Sequence, residues 1–126
     1  MYENLALFQT AAAKARHAGS AQTAVARNIA NADTPGYRAK HAVSFDASLG
    51  TRSKMNMQMT RPSHLQAASR QMDIAFVDAQ VEASPNGNTV SIEEEMLMAT
   101  QISSDHNQAL AVYRHTMTVL RTALGR

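Results

Sequence analysis

The amino-acid sequence predicts a mainly α-helical fold, with long N- and C-terminal helices paired as a coiled-coil-like bundle and an irregular middle segment containing short extended or β pieces. Three observations lead there. No proline falls between Glu3 and Ala32, an unbroken 4–3 spacing runs from Ile92 to the C-terminus, and no helical period is sustained from Arg38 to Asn88. The predicted organisation is an N-terminal helix over 1–33, a turn and irregular middle over 34–90, and a C-terminal helix over 91–126, one elongated domain formed by both termini.

The N-terminal segment is rich in strong helix formers and holds a single glycine, Gly19. Leu5, Phe8, Ala12 and Ala15 keep a 3–4 spacing that Ala18, Ala21, Val25 and Ile29 continue on a slightly rotated stripe. A stripe so rich in alanine lets helix axes approach closely.

The helix then stops at "NIANADTPGY", Asn28 to Tyr37. Pro35 disfavours helical geometry at Thr34, and Pro-Gly suits the central positions of a type II turn, where Gly36 supplies the positive φ. Asn28, Asn31 and Asp33 are placed to satisfy backbone groups freed at the helix end, and Tyr37 can bury its ring while its hydroxyl finds a polar partner. As a piece of physics the stretch reads equally as a helix terminator and as an interaction surface.

In the middle, "MNMQMT" alternates at Met55, Met57 and Met59, and "IAFVDAQV" alternates loosely through Ile74 and Phe76, so short strands are expected. The methionine alternation reads as a flexible packing face rather than a soft-metal site. "SPNGN", Ser84 to Asn88, is a turn signal.

The last helix is predicted to begin at Ser91, which forms a capping box with Glu94, while Glu93, Glu94 and Glu95 lie where the helix dipole favours negative charge. Its seam runs through Ile92, Met96, Ala99, Ser103, His106, Leu110, Tyr113, Met117, Leu120 and Leu124. The polar members Ser103 and His106 read as a stretch where the partner helix diverges or solvent enters; a register-setting polar layer is the alternative.

Composition excludes several classes of function. Aromatic residues make up 5% of the chain and tryptophan is absent, a small-grained apolar surface that suits helix contacts better than a deep pocket. The chain has no cysteine, hence no disulfide, thiolate metal site or cysteine nucleophile. The five histidines, at 17, 41, 64, 106 and 115, never stand three or four apart, and three consecutive glutamates fan out around a helix, so no metal site is expected. No nucleophile elbow, phosphate loop or dinucleotide turn occurs, so neither catalysis nor a cofactor is expected. The net charge is +2, and Lys14, Arg16, Arg27, Arg38 and Lys40 are scattered without interleaved aromatics, which argues against nucleic-acid binding. No apolar run approaches the roughly 20 residues that span a bilayer, and the N-terminus lacks the pattern of a cleaved secretory signal.

Asn28, Ile29, Ala30 and Asn31, followed by Thr34, Pro35, Gly36 and Tyr37, closely resemble the signature that bacterial flagellar rod and hook proteins carry at the end of their N-terminal helix. "MTRPSHL" is similar to the family's middle segment through Thr60, His64 and Leu65, and "GNTVSIEEEM" to its approach to the C-terminal helix through Gly87, Asn88, Val90 and Glu94. The short length and the direct run from Thr34 to Tyr37 resemble one type of proximal rod protein; the second short type usually carries extra residues near the Pro-Gly turn. The resemblance implies a structural subunit of the basal-body rod, the drive shaft, that polymerises through its terminal helices and transmits torque. It implies as partners other copies, other flagellar rod proteins, the membrane (MS) ring with its rod adaptor protein, and the flagellar type III export gate. It implies export by that system without a cleaved signal peptide and a place in the periplasmic rod. A helical adaptor that captures a partner helix is the competing reading. Because a two-helix pair buries only one stripe on each helix, ordering of the termini is expected to be coupled to assembly.

Overall fold

The computed structural model describes residues 2–50 and 74–125. Five elements follow one another: α1 (Tyr2–Ala30), β1 (Lys40–Ala42), α2 (Phe45–Gly50), β2 (Phe76–Asp78) and α3 (Ile92–Ala123). The protein is mainly helical, with its two long terminal helices packed together and a small two-stranded sheet in the middle. The methionine alternation at 55–59 and the match at Thr60, His64 and Leu65 lie outside the described residues.

The long helices run antiparallel, since contact moves down α1 as it moves along α3. Asn28 meets Glu95, the Ala15 carbonyl meets His106, and Phe8 stacks on Tyr113 at a ring-centroid distance of 4.4 Å. Small residues fill the seam: Ala11, Ala18, Ala21 and Val25 from α1 and Ala109 from α3 are buried. Thr116 is also buried there, and its hydroxyl is satisfied by the Val112 carbonyl one turn back at 2.9 Å. Lys14 and Asp105 form an ion pair at 4.0 Å that is well exposed and contributes about 0–1 kcal/mol.

The face of α3 that meets α1 is turned by one residue from the predicted seam at alternate layers. His106 and Tyr113 meet α1, but Glu95, Ala109 and Thr116 are buried and Ile102 is half-buried where Met96, Leu110, Met117 and Ser103 were expected to face inward. Close approach of the axes explains the shift, because an alanine fits between two near helices where a leucine or methionine does not. Leu110 and Met117 flank the seam half-buried, while Ile92, Met96 and Leu124 are exposed. The polar stretch does not mark divergence of the helices: His106 packs on α1, with Nδ1 at 3.2 Å from the Ala15 carbonyl, and Ser103 is exposed beside it.

Strands β1 and β2 pair antiparallel in the register Lys40 with Asp78, His41 with Val77 and Ala42 with Phe76. A two-stranded ribbon is marginal alone, so its packing along α1 matters. His17 of α1 reaches the Val43 carbonyl at 2.7 Å and meets the Phe45 ring edge-on at 5.7 Å. The short helix α2 was not expected from the sequence, because six residues are too few to show a period. Its local cue is Ser44, whose hydroxyl accepts from the Ala47 amide at 3.4 Å ahead of Asp46 in the first turn.

Candidate functional site

The residues of the "NIANADTPGY" stretch come together with the start of α3 in one polar junction. Helix α1 ends at Ala30, and a turn follows in which the Tyr37 amide donates to the Thr34 carbonyl at 3.3 Å. Gly36 has φ +71°, the left-handed value that a type II turn demands after Pro35. The Gly36 amide donates to Asn86 and the Thr89 amide to Tyr37, each at 3.0 Å, so the chain leaving α1 lies beside the chain approaching α3. Gly87 has φ +79°, and a Cβ there would stand 3.4 Å from the Gly36 Cα, so the two turns touch backbone to backbone. Replacing Gly36 by valine is expected to cost about 1–3 kcal/mol in the folded state. Thermal unfolding followed by helicity should show that loss; an unfolding midpoint equal to that of the wild type would contradict it.

Asn28 is the hub. It is 1% exposed, and its amide nitrogen donates to the Lys40 carbonyl and to Glu95 Oε1, both at 3.0 Å. Its amide oxygen accepts from the Tyr37 hydroxyl and the Lys40 amide, both at 3.2 Å. One side chain thereby ties α1 to the turn, to β1 and to α3. A side-chain amide is suited to this because it presents two donors and two lone pairs in one plane.

Glu95 is the partner that sequence reasoning missed. It was assigned to dipole complementation with Glu93 and Glu94, which are exposed as that role requires, but Glu95 is 2% exposed. Its Oε1 accepts from Asn28 and lies 2.7 Å from Nε2 of His41, while Oε2 is buried without a hydrogen-bond partner. The available signal was the fan itself, since three consecutive residues spread over about 200° of a helix and one of them can reach the packed face. Ser91 is the N-cap as predicted, its hydroxyl accepting from the Glu94 amide at 3.5 Å.

Asn88 holds the other side of the junction. It is buried, and its amide nitrogen faces the carbonyls of Asn31, Ala32 and Thr34 at 3.0, 2.7 and 2.8 Å, just beyond the end of α1, where Asn31 and Thr34 also accept from the Thr34 and Tyr37 amides. Its oxygen accepts from the Val90 amide at 2.7 Å, which aims the chain into α3. Asn31 caps locally, donating to the Arg27 carbonyl at 2.7 Å and accepting from the Thr34 hydroxyl at 3.3 Å. Tyr37 is half-buried, whereas Ile29, Ala30, Asp33, Thr34 and Pro35 face outward.

The junction joins backbones and satisfies helix ends. Among the described residues no group of three or more histidines and acids gathers as a metal site would need, and no helix is long and apolar enough to cross a membrane. An alanine-seamed hairpin locked at one end, with several larger aliphatic side chains exposed, places the chain in the class of helical-hairpin proteins.

Comparison with known proteins narrows that class. The family described as "Flagella basal body rod protein" matches residues 9–38, which include Asn28, Pro35, Gly36 and Tyr37. The flagellar basal body rod protein FlgB of Agrobacterium fabrum is 32% identical over 121 residues, covering 90% of each chain. The chain belongs to the FlgB family of flagellar basal body rod proteins. It is a structural subunit of the basal-body rod, and membership implies assembly with other rod components.

Proposed function

We propose that this subunit sits in the proximal rod, where its terminal helices pack against neighbouring copies and other rod proteins, transmit torque, and link the membrane ring, its rod adaptor protein and the export gate to the rest of the shaft. The subunit reaches its place in the periplasm through the flagellar type III system, unfolded and with its N-terminus retained. The observation that carries this reading is the inverted packing of the hairpin. Alanines fill the inside, while Met96, Leu97 and Leu124 are 61%, 74% and 71% exposed and Leu7, Ile92, Val112 and Val119 are also largely in solvent. A lone chain gains little from aliphatic side chains in water; packed neighbours would each recover about 1.5–3 kcal/mol per buried side chain. Of the predicted assembly seam, Tyr113 stacks on Phe8 of α1, Ala99, Leu110, Met117 and Leu120 are half-buried, and the exposed Ile92, Met96 and Leu124 are the side chains this reading assigns to neighbours.

The test is Val112→Asp, at an exposed position beside Leu7 on the hairpin surface. Export into the periplasm should match wild type, helicity of the purified chain should be unchanged, and incorporation into rods, with motility, should be lost. Normal motility would refute the assembly role of this face. Circular dichroism and amide exchange on dilute chain examine the linked expectation. Protection should be strongest at the junction and fade towards both termini, rising on assembly, whereas uniform protection independent of concentration would favour a self-sufficient adaptor.

A further inference from the structure

The cleft between the end of α1 and the β-ribbon differs in chemistry from the rest of the surface. Thr23, Arg27, Tyr37, Lys40 and Phe76 line it. Phe76 is 46% exposed and its neighbour Val77 52%, an apolar edge rimmed by two cations. Asp78 is the cross-strand partner of Lys40, yet the ion pairs among the described residues are Lys14 with Asp105 and His41 with Glu95, so Arg27 and Lys40 lack a carboxylate within 4.0 Å.

The first turns of α3 carry the complementary pattern. Ile92 and Met96, and Glu93 and Leu97, stand four apart, so the four form two adjacent rows of one strip along the helix. All of them are exposed, as is Glu94 at the edge of the strip. The row of Glu93 and Leu97 lies opposite Glu95, which anchors the same turns inward to Asn28 and His41. The apolar-acidic strip is therefore held rigid without being covered.

We infer that the cleft lined by Arg27, Tyr37, Lys40 and Phe76 receives the exposed strip Ile92, Glu93, Met96 and Leu97 of a second copy of this chain. The inference rests on the assembly role proposed above. Charge decides the geometry of the contact. Cleft against cleft would set Arg27 and Lys40 against themselves, and strip against strip would oppose Glu93 and Glu94 to their copies, so contact of like with like is disfavoured. Cleft against strip is a contact between different surfaces, and each copy carries both. When the two surfaces of one copy engage two different neighbours, the contact is heterologous and propagates from copy to copy, closing into a ring or continuing as a helical array according to its rotation.

The chain contains no cysteine, so engineered pairs report this contact cleanly. Thr23→Cys with Leu97→Cys in one chain, incorporated into rods and mildly oxidised, should give a ladder of covalent oligomers, since each copy supplies both halves. Thr23→Cys with Leu7→Cys serves as the control. Absence of a ladder above the control overturns the inference. Charge reversal is the second arm. Arg27→Glu with Lys40→Glu, and separately Glu93→Lys with Glu94→Lys, should each lower incorporation by about tenfold or more, and the chain carrying all four changes should recover to within about threefold of wild type. Circular dichroism verifies that all three remain helical. If the unaltered chain incorporates but neither reversal lowers incorporation, or the fourfold variant is no better than its parents, the contact is wrong and the assembly role stands. If the unaltered chain does not enter rods, the assembly role falls and this contact with it.

Discussion

Glu95→Ala is expected to weaken the junction by about 2–5 kcal/mol, because two groups lose their acceptor and each buried polar group left unpaired costs about 1–3 kcal/mol. The carboxylate at 2% exposure holds Asn28 at 3.0 Å and His41 at 2.7 Å through a single oxygen, so its loss leaves an amide donor and an imidazole without a shared acceptor. Both neighbours belong to other elements, α1 and β1, and the damage should therefore spread beyond α3. The reporter is the Lys40 amide, which donates to Asn28 Oδ1 at 3.2 Å. Its exchange should accelerate by roughly thirtyfold or more, since each 1.4 kcal/mol is a factor of about ten. Glu95→Gln separates charge from shape. It keeps an acceptor for Asn28 but turns the unpartnered Oε2 position into a buried donor, so a smaller loss of about 1–3 kcal/mol is expected. Equal exchange rates in wild type and the alanine variant would show that the carboxylate does not hold these elements together.

Asn88→Ala carries the second large effect, about 2–4 kcal/mol. Each buried polar group left unpaired costs about 1–3 kcal/mol, and water admitted at the exposed turn around Thr34 and Pro35 offsets part of that. The Ala32 carbonyl and the Val90 amide lose their partner together, and the Asn31 and Thr34 carbonyls keep only the backbone bonds of the turn. Asn88→Asp is the sharper variant, because it is nearly isosteric but directs a carboxylate at three carbonyl oxygens beside the negative end of a helix dipole. Thermal unfolding followed by helicity should rank wild type above alanine, with aspartate no better than alanine. A tolerated aspartate would mean that the helix end is satisfied by another route.

These two residues also show what reading the sequence can and cannot reach. Asn28 was visible as part of a helix stop, and Gly36 was assigned its positive φ because Pro-Gly admits few conformations. Asn88 stands in the sequence as a turn residue before the last helix and as part of the family resemblance, and neither shows which carbonyls its amide meets. Glu95 was taken for one member of an acidic first turn. Nothing local distinguishes it from Glu93 and Glu94, because the distinction lies in which direction α1 approaches.

What the sequence by itself determined was local or periodic: two long helices, the stop at Thr34 to Tyr37, the cap at Ser91, and a family signature dense enough to name. Propensity, proline and glycine geometry and capping chemistry act within a few residues, so they can be read in order along the chain. The tertiary structure alone decided the rotation of α3 against α1, the junction of Asn28 with Glu95 and His41, the three carbonyls held by Asn88, and the formation of α2. Hydropathy ranks Met96 and Leu110 above Glu95 and Ala109 as inward residues. Two alanine-lined helices approach too closely to admit the larger side chains, and the hydrogen bonds of Asn28 and His41 make a buried carboxylate tolerable. Packing distance and long-range polar pairing are properties of two segments at once, which is why neither segment shows them alone.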